Sequence, residues 1–479
     1  MPVVETGAGE VRGFLDRGVP NWRGIPYGRV VQRFRPALPA APSGPIDATR
    51  WGVVSWQVPM GLTPERWSPL HPDAVKGEDC LNLNIWSARP GRPDPQPVLV
   101  WIHPGRHMVG GNMTTVDPWV LAAHHDVVVV TVNFRLGPWG WLHLGTIDAD
   151  LADCVNLAVR DQVLALSWVR DNIAAFGGDP GNVTLFGLST GGSDVATLAG
   201  VPAARGLFHR AAVYSGSAER PIGPGEAARA AERFVAAARP LADTPAALRT
   251  LPNVALRHVH RQALRAGEPR YEAMIDGDLL PRPPLESLRA GLATDLPLLV
   301  SVTSDEARIL DVVAGPAVDR KYAAFADPDD GATHEERIAF LSRKLYHEPA
   351  ERLLAAVHAA GGHCWAQVFD YHPTTSQLAG NPAVAGRAVH GADTAALFCD
   401  LATGDAVDRA VGVQVQRALV GLARTGRPPW PEYTAGDPRA RWIAPDGSGG
   451  SRRDPLPRTP PRRRALVHQE FRASTAEEP

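Results

Sequence analysis

This chain of 479 residues has few cysteines, no long apolar run and almost no net charge. Its four cysteines form no CxxC pair, which argues against a metal cluster or a disulfide scaffold and favours free thiols in a reducing compartment. No stretch approaches the length of a membrane-spanning helix. The first residues lack the basic and apolar regions of a secretory signal. We therefore expect a cytoplasmic protein that is not embedded in a membrane.

The balance of charges bears on which partners to expect. Lysine and arginine number 49 and aspartate and glutamate 51, so the formal net charge is −2 at pH 7. Such a balance gives no reason to expect a nucleic-acid partner or an anionic membrane. The one basic run lies in the Gly-, Pro- and Arg-rich segment 447–464, which we interpret as a solvated tail. We expect one domain over residues 1–446 and a C-terminal tail, 447–479, that is ordered in part at most.

Short apolar runs rich in β-branched and aromatic residues predict buried strands. They span residues 97–102, 127–134, 183–187, 211–216, 296–303 and 366–372. Helical patterns lie between some of them, the clearest over 156–176. Residues 224–265, rich in Ala, Arg and Leu, are expected to form helices outside the sheet. Strands that alternate with helices predict an α/β protein with a mainly parallel sheet.

One short segment suggests a nucleophile. The stretch "TLFGLSTGGSDVA" (184–196) places Ser189 in a G-x-S-x-G pattern, which is a weak signal by itself in a chain with 46 glycines. Here, however, a predicted strand precedes the serine and a helix can begin directly after it. This order is that of a nucleophile elbow, where glycines relieve the crowding of a sharp turn. The alternative is a glycine-rich turn without chemistry.

A nucleophilic serine needs a base, and the base needs a carboxylate that orients it. In α/β hydrolases the three follow one another as serine, acid and histidine. The predicted strand 296–303 ends close to Asp305 and Glu306, and His390 stands before a glycine further along. Spacing alone leaves open which acid and which of the 16 histidines takes part.

Several motifs occur together in one order along most of the chain. The most specific are "GEDCLNLNIW" (77–86), "NFRLGPWGWL" (133–142) and "RDNIAAFGGDPGNVTLFGLSTGG" (170–192). In these the chain resembles the type-B carboxylesterases, the cholinesterase-like α/β hydrolases, and among them the bacterial para-nitrobenzyl-esterase-like branch. The resemblance implies an α/β-hydrolase fold. In that fold a large, mostly parallel central sheet is flanked by helices, and helical insertions form a cap over the site.

The resemblance also implies roles for individual residues. Ser189 aligns with the nucleophile, Glu306 with the acid of the triad and His390 with the base. Asp305 is the rival acid, and we prefer Glu306 for its match to the motif and its expected inward face. Ser215 matches a serine that in the family supports the acid of the triad without belonging to the triad.

This chain departs from the family in the loop of the oxyanion hole. In "WIHPGRHMVGGN" (101–112), Pro104, Gly105 and Arg106 replace three glycines. The resemblance assigns the oxyanion donors to the backbone N–H groups of Gly105, Arg106 and Thr190, so the missing N–H of Pro104 is not one of them. A positive φ would strain Arg106. Its side chain is expected either to bind an anionic group of the substrate or to face solvent.

A second departure lies at the elbow itself. Leu188 and Thr190 stand where the family usually has Glu and Ala. Without the Glu, a cationic substrate is less expected, and the branched side chain of Thr190 narrows the site. Cys80 aligns with a cysteine that forms a disulfide in secreted animal members, but no cysteine precedes it here.

Together these features predict a serine carboxylesterase without cofactor or metal. It would cleave small to medium carboxylic esters through an acyl-enzyme. An acyltransferase, a lactonase or a carbamate hydrolase would use the same serine, and a catalytically weak binding protein would fit the altered loop. The expected partner is a small-molecule ester, and we expect a monomer or a homodimer.

Overall fold

The computed structural model describes most of residues 1–453. Its gaps within that range are residues 8, 42–43, 59–72, 114–115, 240, 268–269, 314–316, 375, 377, 379 and 403–404. Most of the predicted tail, from residue 454 onward, lies outside the described residues.

The strands and helices of the described chain are numbered in sequence order. The strands are β1 (Val3–Thr6), β2 (Gly9–Arg12), β3 (Phe14–Asp16), β4 (Val19–Pro26), β5 (Gly28–Arg29), β6 (Leu38–Pro39), β7 (Ile46–Asp47), β8 (Val54–Ser55), β9 (Lys76–Gly77), β10 (Asn82–Ser87), β11 (Gln96–Ile102), β12 (Val128–Val132), β13 (Gly178–Leu188), β14 (Arg210–Tyr214), β15 (Leu298–Thr303), β16 (Cys364–Phe369), β17 (Ala440–Ile443) and β18 (Gly449–Arg452). The helices are α1 (Trp119–His124), α2 (Pro138–Trp141), α3 (Leu157–Asn172), α4 (Thr190–Leu198), α5 (Pro224–Ala238), α6 (Asn253–Ala266), α7 (Pro284–Arg289), α8 (Ile309–Val313), α9 (Ala317–Ala323), α10 (His334–Ser342), α11 (Glu348–Ala359), α12 (Ala392–Leu397) and α13 (Ala406–Thr425).

Eleven strands of the described chain form one sheet, in the order β18-β17-β16-β15-β14-β13-β11-β12-β10-β4-β3. The block from β17 to β12 is parallel throughout. Strand β18 at one end and β10, β4 and β3 at the other pair antiparallel. All six predicted strands are present as β11 to β16, inside the parallel block. The prediction of a large, mostly parallel sheet is therefore confirmed.

The sheet is buried on both faces, because side chains along its central strands alternate between two clusters. In β11, Val98, Val100 and Ile102 pack into one cluster, and Leu99 and Trp101 into the other. Helices α3, α4, α7 and α11 complete the first cluster, and α1, α12 and α13 the second. A strand covered on both faces reads as a continuous apolar run, which is why these strands could be recognised.

Helices also lie outside these layers, as predicted for residues 224–265. Helices α5 and α6 join a third buried cluster, which includes Phe234, Leu256 and Trp139. None of the helices in the described ranges is long and apolar enough to cross a membrane. Strand β18 pairs with β17, so the predicted boundary at residue 446 falls inside a hairpin, and the start of the expected tail belongs to the sheet.

Candidate active site

Ser189 lies on a sharp turn between β13 and α4. Its φ and ψ are 58° and −123°, a conformation that L residues rarely adopt. The turn is held by the N–H of Ser189, which donates to the carbonyl of Tyr214 at 2.9 Å. A side chain at Gly191 would overlap the carbonyl oxygen of Ile102 in β11. The glycine is therefore required for the helix to start so close to the sheet, which is the elbow geometry that the sequence predicted.

The Glu306 carboxylate is buried directly after β15, in a short 3₁₀ turn, with 0% of its surface exposed. One oxygen, Oε1, accepts hydrogen bonds from the Ser215 hydroxyl at 2.6 Å and from the Thr303 N–H at 2.7 Å. The other, Oε2, lies 2.7 Å from Nδ1 of His390. Burial raises the pKa of Glu306, but His390 and these hydrogen bonds outweigh burial, so the pKa is lowered below 4.5. The carboxyl group is therefore ionised at neutral pH.

Asp305, the rival acid, has a different environment. Its carboxylate pairs with Arg308 at 3.1 Å, and it is Glu306 that lies against His390. The backbone N–H of Asp305 donates to the carbonyl of Ala388 at 3.1 Å, which ties the turn that carries the acid to the loop that carries the histidine.

His390 stands just before α12, where Gly391 adopts a left-handed φ of 85°. A Cβ placed on Gly391 would lie 3.3 Å from Cδ2 of Leu188, so the histidine loop packs against the elbow. The Tyr346 ring is 5.0 Å from the imidazole, centroid to centroid. The structure thus joins Ser215, Glu306 and His390 through hydrogen bonds and places their loop beside the turn that bears the serine.

A second buried carboxylate, Asp393, lies behind this group. Its Oδ2 accepts a hydrogen bond from the Ser301 hydroxyl at 2.7 Å. Burial, helped by the negative charge of Glu306, raises the pKa of Asp393 to about 6. Below about pH 6 the Asp393 carboxyl group is therefore mostly protonated, which removes a second negative charge from beside the Glu306 carboxylate.

The oxyanion loop differs from the expectation in one contact. Gly105 and Arg106 both have positive φ, 132° and 58°. The N–H of Arg106 donates to Oγ1 of Thr190 at 3.0 Å, so it does not point at a substrate oxygen. The alanine usual at this position has no hydroxyl to accept that N–H. Of the three expected backbone donors, the N–H of Arg106 already has a side-chain acceptor, whereas those of Gly105 and Thr190 meet no acceptor among the described residues.

His107 is a residue of the site that the sequence did not reveal as charged. Its Nδ1 lies 2.6 Å from the carbonyl of Tyr271 and its Nε2 lies 2.9 Å from the Asp194 carboxylate. Each contact fits a ring N–H that donates to the facing oxygen, and a ring that donates through both nitrogens carries the two protons of an imidazolium. The ring stacks on Trp141 at 3.7 Å, and Glu272 lies 3.6 Å away.

The electrostatic balance at His107 has a clear direction. Burial lowers the pKa of its ring, but the carboxylates of Asp194 and Glu272 and the Tyr271 carbonyl outweigh burial, so the pKa is raised above 6.5. The sequence offered no signal for this cluster, because its members come from three distant segments. Trp141 is buried and forms the platform on which this ring stacks.

Comparisons with known proteins find relatives along most of the chain. The sequence profile of the carboxylesterase family matches residues 1–318. The chain is 32% identical to the para-nitrobenzyl esterase of Bacillus subtilis (strain 168), over 90% of this chain and 92% of that protein. It is 36% identical to the phenmedipham hydrolase of Pseudarthrobacter oxydans, over 64% of this chain and 62% of that protein.

Solved structures show the same similarity in three dimensions. A PNB esterase superposes with a TM-score of 0.81 at 30% identity, over 95% of this chain and 97% of that one. A carboxylesterase of Geobacillus stearothermophilus gives 0.77 at 32% identity, over 95% of this chain and 98% of that one. The α/β-hydrolase fold is thereby confirmed.

Proposed function

The chain belongs to the carboxylesterase family and is a carboxylic ester hydrolase, and from this we propose that it cleaves small to medium esters through Ser189, His390 and Glu306. The observation that carries the proposal is the 2.7 Å contact between Nδ1 of His390 and the buried, ionised Glu306. A carboxylate in this place holds the imidazole with its proton on Nδ1 and leaves Nε2 as the base.

The reaction then proceeds through an acyl-enzyme. Nε2 of His390 takes the proton of Ser189 while the serine oxygen attacks the ester carbonyl carbon. The tetrahedral intermediate collapses, the bond to the alkoxy oxygen breaks, and the alcohol leaves with the proton from His390. Water repeats the cycle and releases the acid. Glu306 stays ionised and stabilises the imidazolium at each step.

The residue before the serine does not favour a cationic ester. Leu188 stands before the nucleophile and is buried, so this position brings no negative charge to attract a cationic substrate. The name of the Bacillus subtilis relative supports para-nitrobenzyl esters as a first probe. We therefore infer a neutral carboxylic ester as the substrate.

The first test compares the wild type with Ser189→Ala on a panel of aryl esters of rising acyl length. Turnover should fall about 10⁴-fold or more in the variant, because one missing triad member abolishes covalent catalysis. Covalent labelling by an organophosphonate should be lost as well. Ser167→Ala, which removes a hydroxyl that bonds only the carbonyl of Val163 within α3, is the matched control. Equal turnover by Ser189→Ala and the wild type would refute the proposal.

The engaged N–H of Arg106 favours one other candidate, a protein that binds esters but turns them over weakly. Labelling of Ser189 without turnover of any ester on the panel would support it. Transfer of the acyl group to added alcohols instead of water would indicate an acyltransferase.

A further inference from the structure

The Thr190 side chain occupies the place toward which a backbone donor of the oxyanion hole points. The N–H of Arg106 donates to its Oγ1 at 3.0 Å. Thr190 is the first residue of α4, directly after Ser189, and is 3% exposed. Its hydroxyl therefore lies beside the nucleophile, shielded from water.

We propose that the Thr190 hydroxyl is a third donor of the oxyanion hole and takes over the part of the Arg106 N–H. A hydroxyl accepts on its lone pairs and still has one proton to donate. Within the described part of the chain, the Oγ1 proton of Thr190 meets no acceptor. The negative oxygen of the tetrahedral intermediate would supply one. The inference rests on the proposed function, because it concerns the same acyl-transfer step.

Two further donors define where that oxygen lies. Among the residues that the structure describes, the backbone N–H groups of Gly105 and Thr190 also meet no acceptor. A buried donor without a partner is costly, so the N–H and the hydroxyl of the buried Thr190, with the N–H of the half-buried Gly105 in the facing loop, indicate a place for an anionic oxygen. The hydrogen bond from Arg106 polarises the hydroxyl and makes it a stronger donor.

The hydrogen bond from Arg106 also accounts for a strained loop. Arg106 and His107 have φ of 58° and 57°, a conformation that costs about 1–2 kcal/mol for each non-glycine residue. The contact with Thr190 fixes Arg106 in that conformation. The site thereby keeps the Thr190 hydroxyl as a donor, although Arg106 stands where the family usually has a glycine.

The alternative is that the hydroxyl blocks the site by competing for the Arg106 N–H. The two arrangements differ in the effect of removing the hydroxyl. If Thr190 donates, Thr190→Ala loses a donor and the reaction slows. If Thr190 blocks, Thr190→Ala frees the Arg106 N–H and the reaction accelerates.

The test measures kcat and KM of Thr190→Ala and Thr190→Ser on the best aryl ester, together with inhibition by a trifluoromethyl ketone. The ketone forms a tetrahedral adduct with the serine and so reports on the oxyanion hole. We expect Thr190→Ala to lower kcat and the affinity for the ketone by about 100-fold each, with KM within a few-fold of the wild type. Thr190→Ser keeps the hydroxyl and should stay within a few-fold in all three.

Thr197→Ala is the matched control, since it removes another buried threonine hydroxyl from α4 away from the loop. The inference is overturned if Thr190→Ala matches or exceeds the wild type, or if Thr190→Ser is as slow as Thr190→Ala. The wild type is measured first on the same ester. Absent turnover and labelling there would count against the proposed function, whereas an active wild type with an unaffected Thr190→Ala would count against this inference alone.

Discussion

At the scale of single residues, the hydrogen bond between Ser215 and Glu306 helps to fix the imidazole of His390, which we propose as the base. The serine hydroxyl donates to Oε1 while Oε2 faces His390, so the two oxygens are fixed from opposite sides. A hydrogen bond to a charged group contributes about 1.5–3 kcal/mol. Part of that stabilisation reaches the imidazole, because the orientation of the carboxylate sets the orientation of the ring.

Ser215→Ala should lower kcat about 10-fold, since each 1.4 kcal/mol of lost stabilisation corresponds to a factor of ten. It should also move the loss of stability on the acid side to higher pH. The pKa of Glu306 is lowered in the folded protein, so its ionised form stabilises the fold above the ordinary pKa of 4.5 and this contribution is lost as pH falls through the lowered value. Without the Ser215 hydroxyl the folded pKa rises and the loss begins at higher pH.

The measurement is kcat and thermal unfolding from pH 4 to about pH 9. Ser217→Ala is the control, because Ser217 lies two residues further on and its hydroxyl accepts the N–H of Glu219 instead. An unchanged acidic limb in Ser215→Ala would show that the hydrogen bond has no influence on the base.

Residues of the site could be predicted from the sequence where a local motif carries them. Ser189 lies in the G-x-S-x-G turn, and Glu306 and His390 lie in short stretches that resemble the family. The hydroxyl contact of Thr190 and the charge on His107 were not predictable in this way. Each depends on groups from segments that only the fold brings together, such as Asp194 in α4 and Tyr271.

At the scale of elements, the elbow depends on the close approach of α4 to β11. Gly191, in the first turn of the helix, lies against the carbonyls of Ile102 and His103. No side chain fits between a helix start and the backbone of the neighbouring strand at this distance. The position of Ser189 is therefore fixed by a contact between two elements.

Gly191→Ala should destabilise the protein by about 3 kcal/mol or more, because the added methyl group meets backbone that cannot move without disturbing the sheet. Gly225→Ala is the matched control: Gly225 is exposed in the first turn of α5, where alanine has room and favours the helix. The apparent melting temperatures of both variants check this. A Gly191→Ala protein that melts with the wild type would disprove the close contact.

Elements could be predicted where burial leaves a simple pattern. The parallel strands β11 to β16 are apolar throughout and were recognised. Strand β10 was not predicted, because Asn82 and Asn84 interrupt its apolar pattern. In the fold the Asn84 side chain accepts the N–H of Gly24 and donates to the carbonyl of Asn112, so a polar residue is buried without loss. Strand β18, read as tail, is rich in glycine and pairs only at the edge.

At the scale of the whole molecule, the sheet order assembles the site. Strands β11, β13, β14 and β15 are neighbours in the sheet, and their carboxyl ends lead into the oxyanion loop, Ser189, Ser215 and Glu306. Loops at one edge of a parallel sheet meet even when their residues are far apart in sequence. Hydrogen bonds of His107 add to this arrangement, because they join the loop after β11 to α4 and to the segment around Tyr271.

These hydrogen bonds of His107 make the stability of the molecule depend on pH. Because the folded pKa of His107 is raised, its contribution is fully present below about pH 6.5, the ordinary value, and is lost as pH rises through the raised value. His107→Gln should therefore lower the free energy of unfolding at pH 6 by about 3–5 kcal/mol, since it leaves the buried Asp194 carboxylate without its cation, whereas Glu272 still pairs with Arg220. The deficit should shrink as pH rises through the raised pKa of His107 toward pH 9, because the wild type loses the same charge along that course. Urea unfolding at both pH values measures the deficit, with His363→Gln as the control, because His363 pairs with Glu432 at an exposed site.

A deficit of the same size at both pH values would mean that His107 acts through packing on Trp141. A variant as stable as the wild type at pH 6 would mean that the buried imidazolium does not hold the oxyanion loop to the rest of the fold.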